Sequence, residues 1–300
     1  MPAIAVVMPV YNRAQGVGDA IESVLAQDFA DFELIVVDDG SRDGTADVVE
    51  AFPDPRVRCL RQPRNQGGNA ARNRGIREAD SPLICFIDSD DLFLPRKLGF
   101  LNDYFARNPE TEVLLDSFRQ LYPPGSAKSP GDRINPELAG SAEVEEAVFA
   151  RRLYKATPAI TAKRAALLAV GLFDETLKRR QDMDLILRLT RNARCAATSE
   201  VLWTKCWSAD SISAKKETFL TAMIEMCERH PDYLHNPDFR VGLALDLARH
   251  FLRLLRKGRF GPLGIDIRRC IGFFGLPLTA RLLGAGLVET LRRNVARRST

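Results

Sequence analysis

Residues 83–95 read LICFIDSDDLFLP, an apolar run that stops in a cluster of three carboxylates, Asp88, Asp90 and Asp91, with Pro95 four residues further on. An unbroken run such as LICFI is the pattern of a strand covered on both faces. Like charges set this close repel, so a chain that keeps them at a strand end gains something from them. The same arrangement recurs upstream. AIAVVM (3–8) and ELIVV (33–37) are apolar runs rich in β-branched residues, and the second closes on Asp38 and Asp39. Between them, GVGDAIESVLAQD places Ala20, Ile21, Val24 and Leu25 at helical spacing. The pattern predicts a helix over 45–52, a strand over 57–61 (VRCLR), a helix over 69–79 and a strand over 83–87. Strands that alternate with helices predict an α/β fold of Rossmann-like character, with a mostly parallel sheet and right-handed crossovers. Ligands of such sheets bind beyond the carboxyl ends of the strands, where both acidic clusters fall.

The whole chain supports a large core: 300 residues, 45% hydrophobic and 27% charged, a balance that excludes disorder for the bulk of it. The opening MPAIAVVMPVYNR has no basic segment ahead of its apolar run, so it does not read as a signal peptide and a cytoplasmic protein is expected. Six cysteines, Cys59, Cys85, Cys195, Cys206, Cys227 and Cys270, contain no Cys-x-x-Cys pair and read as reduced core residues. The three histidines, His230, His235 and His250, all lie late in the chain, so a metal at the acidic strand ends would be held by oxygen. A turn of sequence Asp-Ser-Asp-Asp suits a hard cation, Mg²⁺ or Mn²⁺, which is usually held by one or two carboxylates together with substrate phosphates. Charge is unevenly spread. Residues 240–300 hold 13 Arg or Lys against 3 acids, a surplus of +10, which leaves −6 on the first 239 residues of a chain with net charge +4.

Further along, PPGSAKSPGDRINPE (123–137) reads as a long loop, followed by a helix over 141–153, a strand over 158–162 and helices over 163–170 and 181–192. In the last of these, QDMDLILRLTRN, Asp182 shares a face with Leu185, Ile186 and Leu189, whereas Asp184 shares one with Arg188 and Arg191. Asp184 therefore reads as an exposed ion-pair partner. Asp182 reads as a carboxylate on the packed face, which is costly unless it looks into a polar cleft. From about residue 216 the pattern is helical and basic. ALDLARHFLRLLRK (244–257) puts Ala244, Ala248, Phe251 and Leu255 on one stripe, and CIGFFGLPLTARLLGAGLV (270–288) is apolar but interrupted by Pro277 and Arg281. The interruption argues against a spanning helix. Two readings stay open, peripheral contact with an anionic membrane or a helical cap on the first part of the chain. No aromatic-interleaved basic motif points to nucleic acid.

Taken in order, VVMPVYNR, IVVDDGSRDGT, NQGGNAARNRG, FIDSDD, VGLFDE and RRQDMDLILRL resemble the family 2 glycosyltransferases of the GT-A fold, over about residues 3–213. The resemblance implies a catalytic domain over 1–215, its nucleotide-binding half 1–95 and acceptor half 96–215, followed by a basic amphipathic helical region over 216–300. It implies that Pro9, Val10 and Tyr11 edge a base pocket, that Asp39 accepts from an imide N–H of a uracil-type base, and that Arg72 faces the nucleotide. Asp88, with Ser89 beside it, would approach the ribose or a metal's water shell, and Asp90 would ligate the metal. Asp182 stands where the family has its catalytic base. The implied reaction is an inverting, metal-dependent transfer from a nucleotide sugar, a UDP-sugar in the first instance, to a hydroxyl of a glycan or lipid-linked acceptor in surface polysaccharide synthesis. The implied location is the cytoplasm or the inner face of the membrane. Two departures are visible: Gln181 where relatives carry Glu, and Trp207 and Ser208 where relatives show a histidine. The rival readings are a nucleotidyltransferase on a related scaffold and a catalytically silent sugar-nucleotide-binding subunit.

Overall fold

In the computed structural model, strands β1 (Ile4–Val10), β2 (Phe32–Asp38) and β4 (Leu83–Phe86) are buried along almost their whole length. The structure describes all residues except 124, 127, 208–218 and 297–300, and for 289–296 it describes the backbone alone. Such strands need cover on both faces, and β1, paired parallel with β2 on one side and β4 on the other, is the sheet's buried centre. The edge strand β3 (Val57–Arg61) alternates in burial and pairs parallel to β2. Helices α1 (Val17–Leu25), α2 (Thr45–Glu50) and α3 (Gly68–Glu78) make the crossovers. α3 lies tight on the sheet because of Gly75. A Cβ there would stand 2.5 Å from Val7 Cγ1 and 3.4 Å from Val37 Cγ2, so any larger residue pushes the helix off β1 and β2.

The full sheet has nine strands in the order β3-β2-β1-β4-β8-β6-β9-β5, with β7 paired to β6. Its second half comprises β5 (Leu92–Phe93), β6 (Val113–Gln120), β7 (Gly131–Arg133), β8 (Ile160–Lys163) and β9 (Cys195–Lys205). Pairing there is mixed: β6 and β9 run parallel, whereas β4–β8, β6–β8, β6–β7 and β5–β9 are antiparallel. Helices α4 (Lys97–Arg107), α5 (Ser141–Phe149), α6 (Arg164–Ala169) and α7 (Gln181–Asn192) complete the elements before residue 208. The loop expected over 123–137 contains β7, and the helix expected over 141–153 stops at Phe149. The strand order reverses between β1 and β4, and the crevice outside such a reversal is where α/β sheets bind ligands.

β6 carries a charge through the core. Asp116 is wholly buried; its carboxylate accepts from the ammonium of buried Lys97 and, at 2.8 Å, from Trp203 Nε1, while Lys97 also donates to the Pro158 carbonyl at 3.0 Å. Burial outweighs these partners and pushes the Asp116 carboxyl up to about 6.

The chain divides into two compact units, residues 1–148 with 152–214, and residues 149–151 with 215–300. The second contains α8 (Phe219–Arg229), α9 (Pro237–Arg256), α10 (Phe260–Phe274) and α11 (Leu276–Ala296). Asn236 caps α9 by accepting from the Phe239 amide at 3.0 Å, and Arg151 pairs with Asp246 at 2.9 Å. Phe149, Tyr233 and Phe239 pack edge to face. At Gly286, α11 touches the backbone of α9 at Ala244 so closely that no Cβ fits. Leu255 departs from its expected place on the buried stripe of α9: it is 46% exposed, and Leu243, Leu247 and Leu254 are buried instead. Gly275, at φ 75°, breaks α10 from α11. All six cysteines are free thiols, with Cys85, Cys195, Cys227 and Cys270 buried.

Candidate active site

The loops after β1 and β2 are tied to each other. Asn12 N donates to Ser41 Oγ at 2.9 Å, Arg42 N donates to Asn12 Oδ1 at 3.0 Å, and Arg13 N donates to Thr45 Oγ1 at 2.8 Å. Asp38 holds the turn, accepting from Ser41 N at 3.2 Å. Gly40 is obligatory there, because its φ is +74° and a Cβ would meet the Arg64 backbone at 2.6 Å. Asp39 is buried and accepts from Gln62 Nε2 at 2.6 Å, Gln66 N at 2.8 Å and Gly67 N at 2.8 Å. It thereby fixes the loop leading into α3. Tyr11, between these loops and the end of β1, is 44% exposed.

α3 joins two stretches far apart in sequence. Asn69 donates to the carbonyls of Asp174 and Leu177, and Asn73 donates to the Phe173 carbonyl and accepts from the Phe173 amide. These four bonds set the segment that leads into α7. Between the two asparagines Arg72 is buried, with Nη2 donating to Asp88 Oδ1 at 2.6 Å, its guanidinium over the Phe173 ring at 5.6 Å, and Nε without a partner.

The acidic turn closes when Asp91 N donates to the Asp88 carbonyl at 3.0 Å. Asp91 is buried; its Oδ1 accepts from Cys206 N at 2.9 Å and its Oδ2 has no hydrogen-bond partner. Asp90 is half-buried, with Arg13 3.7 Å away. Burial first and the Asp88 charge second raise the Asp90 carboxyl above its ordinary range, against the pull of Arg13 and Lys205. Asp91 is raised further, chiefly by burial. Lys205, at the end of β9, is the counter-charge. Burial alone would lower its ammonium, but Asp91, Asp88, Asp90 and Asp182 together raise it. The antiparallel pairing of Leu92 with Thr204 brings this lysine beside the turn.

Asp184 departs from the exposed position expected of it, whereas Asp182 is half-buried on a helix whose Leu185, Ile186 and Leu189 are buried. Asp184 is buried and takes Arg188 Nη2 at 2.7 Å and Nε at 2.9 Å, so it is an interior ion-pair partner, not an exposed one. Asp182 is half-buried in the first turn of α7, accepts only its neighbour's amide, Met183 N, at 2.8 Å among the bonds described, and lies within the field of Lys205. Leu185, Ile186 and Leu189 are buried as expected, but so are Met183, Asp184 and Leu187, because α7 is covered around most of its circumference. Trp207 is 50% exposed, and Ser208 lies outside the described residues. Lys205, Asn69, Asn73, Gln62 and Gln66 were not singled out by the sequence reading.

Residues 5–137, which contain both acidic strand ends, match the family model described as Glycosyl transferase family 2. Over that stretch the chain is similar to the family 2 glycosyltransferases. The succinoglycan biosynthesis protein ExoO of Rhizobium meliloti (strain 1021) is 45% identical over 98 residues, 33% of this chain and 28% of ExoO. WfgD of Escherichia coli, described as a UDP-Glc:alpha-D-GlcNAc-diphosphoundecaprenol beta-1,3-glucosyltransferase, is 38% identical over 105 residues, 35% of this chain and 42% of WfgD. The chain thus matches less than half the length of either relative. Staphylococcus aureus TarS (1–349) in complex with UDP-GlcNAc superposes with a TM-score of 0.64 at 21% identity, over 83% of this chain and 72% of that one. The mannosyltransferase PcManGT of Pyrobaculum calidifontis, in complex with GDP-Man and Mn²⁺, does so with a TM-score of 0.58 at 17% identity, over 97% and 81%. The fold is therefore of the GT-A type.

Among the described residues no three His, Cys, Asp or Glu side chains form a ready-made metal cage. The carboxylates still suit a divalent cation that brings its own further ligands, because Asp91 Oδ2 is buried without a donor and burial, with the Asp88 charge second, raises the Asp90 carboxyl, a cost that a bound cation would offset. Asp88 is committed to Arg72, which leaves Asp90 as the more available ligand. A cavity of about 440 Å³ at the start of β4 is lined by Ser81, Leu83, Phe105, Lys163 and Arg164 and includes none of these groups. Ser81, Lys163 and Arg164 there already donate to Glu33, Pro109 and Ile76, so that cavity is structural.

Proposed function

We propose that this chain is an inverting, metal-assisted glycosyltransferase that moves a sugar from a nucleotide sugar, a UDP-sugar first, to a hydroxyl of a glycan or lipid-linked acceptor in surface polysaccharide synthesis. The observation that carries the reading is the convergence of the β4 acids and the α7 acid on Lys205 at the β1/β4 reversal. Catalysis is assigned to residues 1–215, the nucleotide to 1–95 and the acceptor to 96–215, with 216–300 as the basic helical region.

Tyr11, with Pro9 and Val10 behind it, would border the base. Asp39 keeps one lone-pair site on Oδ2 for an imide N–H beyond the bond from Gly67. Arg72 would turn its unpartnered Nε to the nucleotide, while Asp88 and Ser89 approach the ribose side. Asp90, with Asp88 through water, would hold Mg²⁺ or Mn²⁺, which when bound neutralises the departing diphosphate. Asp182 would take the proton of the acceptor hydroxyl as its oxygen attacks the anomeric carbon, the C–O bond to the diphosphate breaking as the new one forms. Its half-buried carboxylate, without a direct cation partner among the bonds described, is suited to that. The names of ExoO and WfgD favour a polysaccharide or lipid-linked acceptor, and an acceptor of that kind supports a location in the cytoplasm or at the inner face of a membrane.

The test is to incubate the protein with UDP-sugars, Mn²⁺ and lipid-linked or glycan acceptors. Release of UDP with a product of inverted anomeric configuration by NMR is expected. Pyrophosphate release would instead identify a nucleotidyltransferase, and binding without turnover a silent subunit.

A further inference from the structure

We propose that the α9–α10 turn and the start of α10, residues 255–265, dock the chain on an anionic lipid bilayer, lying in the plane of the headgroups. The proposal deepens the membrane contact suggested above and rests on that reading for its purpose, but on different residues for its evidence.

Eight consecutive residues, 255–262 (LRKGRFGP), are all exposed. They include two large apolar side chains, Leu255 at 46% and Phe260 at 68% exposure, and Ile265 at 58% follows one turn on. Three cations, Arg256, Lys257 and Arg259, stand between them, and the stretch 255–265 contains no acid. The next acid, Asp266, is engaged by His250 at 2.8 Å. Cations at the last turn of α9 would complement its dipole, which gives Arg256 and Lys257 a structural reason. Nothing of that kind explains Phe260. α10 is apolar at Phe260, Leu263, Ile265, Ile267, Ile271 and Phe273, yet only Cys270 and Phe274 of the helix are buried. A helix so apolar and so thinly covered stays in water only at a cost of roughly 25 cal/mol per Å².

The charge selects the occupant. An aromatic tip ringed by cations matches a surface that is apolar within and anionic outside, which is the interface of an acidic bilayer. The contact is taken as in-plane, since among the described residues no single helix is long and apolar enough to span, and α10 with α11, which reach that length and composition only together, are bent by 119° at their junction.

The experiment is co-sedimentation of the full chain with vesicles of phosphatidylcholine alone and of phosphatidylcholine with phosphatidylglycerol. Wild-type protein should bind only the second. The triple variant Arg256→Ser, Lys257→Ser, Arg259→Ser should bind more weakly by about fivefold per cation. Phe260→Ser should lose roughly tenfold or more, and its remaining binding should be released by salt, whereas salt releases the wild type only in part. All four side chains are exposed, so the variants keep the fold, and UDP affinity in solution is read on the same samples. Equal binding to both vesicles, or variants that bind as wild type does, would overturn the proposal. So would lipid-free self-association that Phe260→Ser abolishes, which would make a second copy the occupant. Absent UDP affinity in the wild type would sink the glycosyltransferase reading while leaving the vesicle result to stand alone.

Discussion

Replacing Asp184 and Asp182 by asparagine, one at a time, separates a structural carboxylate from a chemical one within a single helical turn. Asp184→Asn removes one partner of a buried pair in which Asp184 is 4% and Arg188 24% exposed. A fully buried charge left alone costs about 3–5 kcal/mol. Here Arg188 keeps its bond to the Val170 carbonyl at 2.6 Å and some contact with water, and the new amide still offers an acceptor, which reduces the expected loss to about 2 kcal/mol. In a unit of this size that is a fall in Tm of about 4–8 °C, read by thermal unfolding. Turnover per folded molecule should change little. Asp182→Asn should do the reverse: Tm and UDP affinity nearly constant, because its carboxylate accepts only Met183 N among the bonds described, and kcat lower by roughly 10²–10⁴ for loss of a positioned proton acceptor. An Asp182→Asn enzyme of near-normal kcat, or an Asp184→Asn protein of unchanged Tm, would refute the assignment.

Asp90→Asn should abolish the Mn²⁺-dependent part of UDP binding measured by calorimetry, since an amide cannot replace a charged ligand of a hard cation. Unchanged Mn²⁺-dependent affinity would remove Asp90 from the site. Gly40→Ala puts a Cβ against the Arg64 backbone at a positive φ, and should cost about 1–3 kcal/mol while weakening UDP binding through the displaced Asp39 loop; a variant with wild-type Tm and UDP affinity would contradict this. The Asp116 carboxyl, raised to about 6 when folded against an ordinary 3.8, binds its proton more tightly in the folded state, so its contribution favours folding as pH falls from 7 to 5. Wild-type protein should therefore gain stability relative to Asp116→Asn over that range, and parallel curves of Tm against pH would exclude the shift.

The parallel half of the sheet was legible because β1, β2 and β4 are unbroken apolar runs, and their acidic ends mark the site without any long-range information. β6 and β9 were not. VLLDSFRQ is interrupted by Asp116 and CAATSEVLWTK by a polar centre, and what compensates Asp116, namely Lys97 and Trp203, comes from other parts of the chain. The same limit explains α7. A helical wheel assumes one buried face, whereas α7 is buried from Met183 to Leu187 and again at Leu189 and Thr190, so the wheel does not reveal that Asp184 lies inside with Arg188. Lys205 was invisible for a third reason: a lysine at the end of a mixed strand carries no local signal, and only the β5–β9 pairing places it among the acids.

That placement bears on the order of events in the proposed reaction. Asp88 is paired with Arg72, Asp90 shares Arg13 across 3.7 Å, and the remaining charges of Asp91 and Asp182 fall chiefly on the single ammonium of Lys205. The balance is incomplete, as the raised carboxyls of Asp90 and Asp91 show. A diphosphate entering alone would meet a site still negative, whereas one entering with a divalent cation would cancel charge on both partners. UDP should accordingly bind weakly without Mn²⁺ and much more tightly with it. Lys205→Ala should widen that gap by removing the ammonium that faces Asp91, Asp88, Asp90 and Asp182, and metal-free UDP affinity that is already high in the wild type would show that the protein's own cations suffice.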